Sequence, residues 1–191
     1  MNDQGESREE LTPVNPASHH YKELASASAR ELEGVFLRGA SPDMTKLVGW
    51  EFRGMNQPFW AKLAGIKKFI KGFEKREMGV FGYNTPVVQN GAEKPWISKP
   101  RGRAAKRFGY YKVEPVDAAG VENKHLHALL LDYGRGGNGR FDPSRGLRDY
   151  VVQVDPSNPD LYLGKAYYAV GPQRIPTNFF VLERLRLADE T

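Results

Sequence analysis

Three charged residues in the C-terminal third of the chain lie within short apolar runs and are the first candidates for chemistry. Alternate residues of a β-strand face opposite sides of a sheet. This alternation places Arg148, Lys165 and Glu183 each on a strand face whose other members are mainly apolar. If these faces line the interior of a β-barrel, the three side chains form a polar cluster with Asp132 nearby.

A buried charge is costly unless it is paired, so this cluster has two interpretations. In the first, the three charges form an internal salt-bridge network that fixes the register of the strands. In the second, Arg148 and Lys165 hold the acidic head group of a ligand inside the barrel. Four aromatic side chains would then surround the apolar body of that ligand: Tyr133, Tyr150, Tyr167 and Phe179.

Two histidines are candidates for metal binding. His125 and His127 would lie on the same face of a strand, a spacing that can bind zinc, iron or manganese. The segment resembles the first half of a cupin metal motif, but its glycine spacing and its carboxylate depart from that motif. The other histidines, His19 and His20, precede the barrel strands, so no later histidine completes a metal site. We therefore predict neither a metal nor a cofactor.

The glycine-rich segment Gly134–Gly146 could suggest a phosphate-binding loop. It leads towards another strand rather than opening a helix, and it has no Gly-Lys-Ser/Thr, so we predict a mobile hairpin loop at one barrel mouth. The sequence also lacks the Gly-x-Ser-x-Gly element of many hydrolases. An isomerase or lyase using Lys165 and Glu183 as acid and base is a further, less favoured alternative.

Basic residues interleaved with aromatic ones occur in the stretch 94–112. Such a stretch can bind single-stranded nucleic acid, because cations neutralise phosphates and aromatic rings stack on bases. The other interpretation is a basic loop followed by an ordinary, half-buried strand. Nucleic-acid or anionic-surface binding is therefore the alternative to ligand binding.

Composition restricts the class of protein further. The 191 residues include no cysteine, which excludes disulfide frameworks, zinc–thiolate sites and cysteine nucleophiles. No stretch reaches the roughly 18 apolar residues of a membrane span, and the first residues do not have the pattern of a signal peptide. We expect a cytoplasmic protein without a membrane span, while its oligomeric state stays open.

The pattern along the chain predicts one domain. Residues 1–18 are polar, which predicts a disordered tail, and we expect residues 19–191 to form the domain. Helical spacing of apolar residues predicts helices over 21–37 and 58–73, with strands from residue 47 onward. The last four runs are separated by turns too short for a crossover helix: His125–Tyr133, Leu147–Val154, Leu161–Val170 and Asn178–Leu187. We predict a mainly β fold, a single antiparallel barrel of about eight strands with about two helices.

Short motifs add a resemblance to a known family. Gly49-Trp50-Glu-Phe-Arg-Gly54 resembles the opening of the bacterial Gly-x-Trp-x-Gly domain family, and Gly65-Ile-Lys-Lys-Phe69 resembles its later Gly-Lys-x-Phe segment. Arg148-Asp149-Tyr150, Leu163-Gly164-Lys165 and a strand closing on Leu182-Glu183-Arg184 are similar to the end of that family. The resemblance implies a lipocalin-like (calycin) barrel with no established activity. In lipocalins and fatty-acid-binding proteins a tryptophan on the first strand closes one barrel end, so the resemblance adds Trp50 to the candidate site.

These observations together predict non-enzymatic binding of a small amphipathic or acidic molecule, such as a fatty acid or lipid-like metabolite, inside the barrel. Pockets of this kind are mostly apolar with a few well-placed polar groups. The charges Arg148, Lys165 and Glu183 are the residues that would decide between a binding site and a packed core.

Overall fold

Eight antiparallel strands close into a single barrel in the computed structural model, which describes residues 15–57, 65–100 and 105–188. Each strand pairs with the next along the chain, and the last pairs with the first. The strands are β1 Trp50–Asn56, β2 Lys68–Arg76, β3 Gly79–Pro86, β4 Phe108–Pro115, β5 Leu129–Asp132, β6 Leu147–Gln153, β7 Leu161–Val170 and β8 Gln173–Leu187. The predicted fold class, a mainly β antiparallel barrel, is confirmed.

The barrel buries both faces of many of its strands. Side chains pointing inward form one apolar cluster, which includes Phe52, Phe73, Tyr111, Leu131, Val151, Tyr162 and Leu182. The outward faces of several strands form a second cluster with Leu24, Leu32 and Phe36 from two helices. A helix layer therefore covers part of the outside of the barrel, and the strands beneath it are apolar on both sides.

The covering layer consists of two short helices, α1 His19–Ser26 and α2 Ala29–Arg38, where the sequence predicted one helix over 21–37. The break comes at Ser28, whose extended backbone begins α2. Its side chain accepts the backbone N–H of Glu31, and the Glu31 carboxylate accepts the backbone N–H of Ser28. This reciprocal capping box satisfies N–H groups at the start of α2, which favours a new helix over a continuous one.

The helix predicted over 58–73 is wrong for residues 68–73, which belong to β2, while residues 58–64 lie outside the described part. Gly65 precedes the strand with a φ of 66°, a backbone conformation that a continuous helix does not allow. In β2, Phe69 and Phe73 point into the barrel and Ile70 points outward. A strand buried on both faces places apolar residues at adjacent positions and thus imitates helical spacing.

Two other predicted strands are shorter than expected. His125 and His127 lie before β5, which begins only at Leu129. The tight-turn pair Asn90-Gly91 followed by Trp96-Ile97 also predicts a short hairpin strand, but residues 96 and 97 form no strand; the neighbouring Ser98 makes an isolated bridge with Val87. The predicted number of strands is therefore right, but the strand missing from the sequence-based count is β2.

Candidate functional site

A pocket of about 290 Å³ opens at the end of the barrel where β1, β3, β5 and β7 finish. Its apolar wall includes Phe69, Phe108, Leu147, Ala166 and Phe180. The other end of the barrel lies near Trp50 and Leu187, which pair with each other across β1 and β8. The pocket is thus an opening at one end of the apolar interior.

A buried lysine and a buried aspartate lie among the residues that line this pocket. Lys71, on β2, and Asp149, on β6, point inward, and Lys71 Nζ lies 3.2 Å from Asp149 Oδ2. The side chain of Lys71 is 2% exposed and that of Asp149 is 5% exposed, so the ion pair is shielded from bulk water. Charges at such depth need partners on all sides.

Tyr133 and Asn84 complete these partners. Lys71 Nζ donates hydrogen bonds to Tyr133 Oη at 2.5 Å and to Asn84 Oδ1 at 3.1 Å. The Tyr133 hydroxyl donates to Asp149 Oδ2 at 3.0 Å, and Asn84 Nδ2 donates to the Gly109 carbonyl at 2.9 Å. The four side chains form one connected network, which we call the floor network.

Burial is the main cause of the pKa shifts of the two charged residues in this network. It lowers the pKa of Lys71, and the negative charge of Asp149 opposes that change. It raises the pKa of Asp149, and the positive charge of Lys71 opposes that change. Both shifts favour the neutral forms of the pair, so burial narrows the free-energy gap between the ion pair and a neutral amine next to a neutral acid.

Aromatic rings surround the ammonium group. The centroids of Tyr111 and Phe180 lie 4.5 Å and 5.2 Å from Lys71 Nζ, and that of Phe69 lies 5.6 Å away. Ring faces at these distances attract a cation and also exclude water from it. The floor network is therefore polar at its centre and apolar around it.

Two polar atoms of the pocket lie outside the hydrogen bonds of the floor network. Ser144 lines the pocket, and its Oγ is buried; it makes no close hydrogen bond among the described residues, although it lies near enough to the Asp142 carboxylate to lower the pKa of Asp142. The described contacts of Asp149 with Lys71 and Tyr133 both use Oδ2, so neither of them uses Oδ1. A ligand could pair with both atoms without breaking the floor network.

The three charges predicted to form an internal cluster do not meet. Their strand faces were grouped correctly, but the shared face is the outer one, where Tyr150, Val152 and Leu163 belong to the helix-covered cluster. Each charge has its own partner: Arg148 Nε lies 2.9 Å from Glu122 Oε1, Lys165 Nζ lies 2.6 Å from Glu33 Oε2, and Arg53 Nε lies 3.3 Å from Glu183 Oε2. The predicted cluster is wrong because period-two alternation does not tell inside from outside.

The proposed acid–base pair of Lys165 and Glu183 is not formed either. On the paired strands Lys165 lies opposite Phe179, whereas Glu183 lies opposite Leu161. Glu183 also accepts the backbone N–H of Ser18, which ties the segment before α1 to the barrel. Asp132 does lie near Arg148, at 3.1 Å from its Nη1.

The predicted aromatic residues are distributed over several environments. Of the residues predicted from the sequence, Tyr133 lines the barrel pocket, and the others do not. Lys165 and Phe179 line a separate groove of about 590 Å³ beside the junction of α1 and α2. Trp50 is half-buried, with the guanidinium of Arg184 4.2 Å from its ring.

Tyr150 and Tyr167 pack instead around His125. His125 Nε2 is 2.8 Å from the Tyr167 hydroxyl, and the Tyr150 ring centroid is 5.0 Å from the His125 ring centroid. His127 Nε2 is 3.1 Å from the carbonyl oxygen of Phe36 in α2. Within the described residues no group of three or more His, Asp or Glu side chains could hold a metal ion. The two histidines thus connect the barrel with its helix layer.

The basic stretch also differs from the pattern of a nucleic-acid surface. Trp96 is 7% exposed and Tyr111 is fully buried, so neither ring can stack on a base. Arg107 lies over the ring of Tyr83 at 3.9 Å and 3.5 Å from Glu74. Residues 101–104 lie outside the described part of the chain.

Sequence reasoning missed the lysine, the aspartate, the asparagine and the serine of the pocket, which are Lys71, Asn84, Ser144 and Asp149. A signal for the first was present. Phe69, Lys71 and Phe73 alternate along β2, so one charge shares a face with two aromatic residues. The assignment of this segment to a helix hid that signal.

Comparison with known proteins supports the fold. The chain is similar to a solved structure described as a protein from Thermomonospora curvata, with a TM-score of 0.50 and 17% identity over 86% of this chain and 95% of that one. At this identity the likeness shows the fold alone. No family model matches the chain, so no family match supports the Gly-x-Trp-x-Gly resemblance. No curated protein matches the chain significantly.

Helices within the described residues are all too short or too polar to cross a membrane.

Proposed function

We propose that the barrel binds a small, mainly apolar molecule with a neutral hydrogen-bonding head group, at the open end that the floor network lines. The observation that carries this proposal is the combination of an apolar wall with a buried ion pair and a buried serine hydroxyl in one pocket. Binding pockets for small molecules are typically apolar, with a few polar groups that orient the ligand.

The neutral head group follows from the charges. Asp149 already balances Lys71 at 3.2 Å, so the pair presents no net positive charge to a ligand. A carboxylate bound there would lie close to Asp149 and would have to lose its hydration. A hydroxyl or carbonyl avoids both costs, because a hydroxyl can donate to Asp149 Oδ1 and either group can accept from Ser144 Oγ. This changes the acidic head group expected from the sequence into a neutral one.

The volume restricts the size of the ligand. At about 290 Å³ the pocket is at the lower end of the range of roughly 300–1,000 Å³ that is usual for small-molecule sites. The body of the ligand is therefore a short chain or a single ring rather than a long acyl chain. Phe69, Phe108 and Phe180 provide the surfaces on which such a body would pack.

The direct test is binding of octan-1-ol, octan-2-one and octanoate, measured by native mass spectrometry and by thermal shift. We expect the alcohol and the ketone to bind more tightly than octanoate at neutral pH. The variant Leu147→Trp fills the pocket wall and is expected to abolish binding. Leu187→Trp, the same change on an exposed residue at the other barrel end, is the matched control and should bind as the wild type does.

The proposal fails if none of the three compounds binds, or if Leu147→Trp and Leu187→Trp bind equally well. Preferential binding of octanoate would contradict the neutral head group and return the ligand to the acidic class.

A further inference from the structure

We infer that the amine of Lys71 forms a covalent imine with a small apolar aldehyde that enters the barrel pocket. The inference rests on the proposed function, because it requires that a ligand of this size reaches the floor network. The aldehyde is the neutral head group of the proposed ligand, and Lys71 Nζ is the atom to which it becomes bonded. The geometry around Lys71 Nζ carries this inference.

The first observation is access. Lys71 lines the pocket, although its side chain is only 2% exposed to solvent. A ligand carbonyl in the pocket can therefore approach an amine that bulk water hardly reaches. Imines hydrolyse readily in water, so an enclosed lysine among Tyr111, Phe180 and Phe69 is better placed to keep one than a surface lysine is.

The second observation is an acid beside the amine. Asp149 Oδ2 lies 3.2 Å from Lys71 Nζ, and the Tyr133 hydroxyl contacts both, at 2.5 Å from Nζ and 3.0 Å from Oδ2. Imine formation needs a neutral amine to attack and an acid to assist the departure of water. A proton that moves from Lys71 to Asp149 provides both groups at once.

The reaction balances within this pair. After the proton moves to Asp149, the lone pair of Nζ attacks the aldehyde carbon, and the electrons of the C=O π bond move to oxygen. A proton passes from nitrogen to that oxygen, giving a carbinolamine. Asp149 then returns its proton to the hydroxyl, which leaves as water while the nitrogen lone pair forms the C=N bond. The products are a protonated imine, a carboxylate and water.

Charge is conserved at the site. The protonated imine carries the same positive charge as the original ammonium and lies beside the same Asp149 carboxylate. The ion pair is therefore present before and after the reaction, and the buried carboxylate keeps a cation. The burial that lowers the pKa of Lys71 also lowers the cost of the neutral amine that attacks.

Lys68 provides a matched comparison within the same strand. Its side chain is buried like that of Lys71, but it points outward and lies over the Trp96 ring at 3.8 Å. Its Nζ donates to Asn90 Oδ1 at 2.6 Å and to the Lys94 carbonyl at 2.7 Å, and it does not line the pocket. Burial lowers its pKa to about 8, so it tests whether burial alone is sufficient for reaction.

The experiment treats the full chain with limiting hexanal and sodium cyanoborohydride at neutral pH, followed by intact mass and peptide mapping. We expect one hexyl group on Lys71, added about tenfold or more faster than on surface lysines, because binding in the pocket holds the aldehyde carbon beside Nζ. Lys68 should stay unmodified. Lys71→Met should lose the fast phase, Lys68→Met should keep it, and Leu147→Trp should block it.

Mapping of the wild-type chain tests the inference even if Lys71→Met does not fold. Modification spread over surface lysines, or faster on Lys68 than on Lys71, overturns it. Binding of octan-1-ol without any trapping of hexanal on Lys71 rejects the imine and leaves the proposed function intact. Failure of both compounds to bind or react rejects the two together.

Discussion

Lys71 Nζ and Asp149 Oδ2 lie 3.2 Å apart inside the barrel, although their strands β2 and β6 are not neighbours in the sheet. The pair therefore spans the barrel rather than one strand ladder. Hydrogen bonds connect both residues with Tyr133 and Asn84 in the floor network. Because the barrel must close before these strands face each other, the ion pair reports on closure as well as on the pocket.

Removal of one member of this pair should be more destabilising than removal of both. Lys71→Met leaves Asp149 buried without its cation, which costs about 3–5 kcal/mol of unfolding free energy for a buried pair. Replacing both residues, as Lys71→Met with Asp149→Leu, removes the unpaired charge and should recover part of that loss. Urea unfolding of the two single variants and the double variant measures the coupling.

The coupling would be absent if the double variant were destabilised by the sum of the two single effects. Such a result would mean that Tyr133 and Asn84 already satisfy each charge separately.

The hydroxyl of Ser144 should contribute to binding and not to stability. Its Oγ is buried, and its one described polar neighbour is the Asp142 carboxylate, whose pKa it lowers, so Ser144→Ala removes only this weak interaction from the folded protein. A hydrogen bond from this hydroxyl to octan-1-ol or octan-2-one would be worth about 0.5–1.5 kcal/mol. We therefore expect weaker binding by titration calorimetry with an unchanged urea midpoint. Ser157→Ala, in a turn remote from the pocket, should change neither ligand affinity.

Lys165, whose side chain is 14% exposed, should contribute modestly to stability and not to binding in the barrel pocket. Its ion-pair partner Glu33 is 38% exposed, and pairs that solvent reaches contribute about 0–1 kcal/mol. Lys165→Ala should therefore lower the unfolding free energy by no more than this and leave binding of octan-1-ol in the barrel pocket unchanged. A large loss of affinity for that ligand would instead move the site to the outer groove that Lys165 and Phe179 line.

The architecture could be predicted because it depends on local features that the sequence carries directly. Short apolar runs divided by turn residues require antiparallel neighbours, and this holds for β6, β7 and β8. Alternation also grouped Arg148, Lys165 and Glu183 on one face, as the structure has them. The antiparallel order of the C-terminal strands followed from these patterns, whereas the total of eight was reached with β2 missing from the count.

The orientation of the faces could not be predicted, because it depends on what covers the barrel. On β7, Leu161 and Leu163 pack under the helix layer, while Tyr162 and Ala166 point inward. Both faces are apolar, so hydrophobicity does not distinguish them. The same double burial made β2 look helical and hid Lys71. The sequence-based interpretation therefore placed a charge among aromatic residues on the outer face, whereas the barrel pocket has Lys71 among aromatic residues on the inner one.

His125 should make the stability of the protein depend on pH. Burial lowers the pKa of His125 from its ordinary value of 6.5 to about 4, and the nearby charges of Lys165, His127 and Lys124 act in the same direction while Glu33 opposes them. The ring lies within hydrogen-bond distance of Tyr167 and packs on Phe36 of α2.

The unfolded chain binds a proton at His125 more readily than the folded chain does. The stabilising effect of a neutral His125 is therefore fully present above pH 6.5 and is lost as pH falls from 6.5 towards about 4. We expect the urea midpoint of the wild type to fall between about pH 7 and about pH 5. His125→Gln, which has no proton to gain, should show a smaller decrease over the same interval. His19→Gln changes an exposed histidine in α1 and should follow the wild type. Equal slopes for the wild type and His125→Gln would show that other groups carry the pH dependence, and that the contact between His125 and the helix layer tolerates a charged ring.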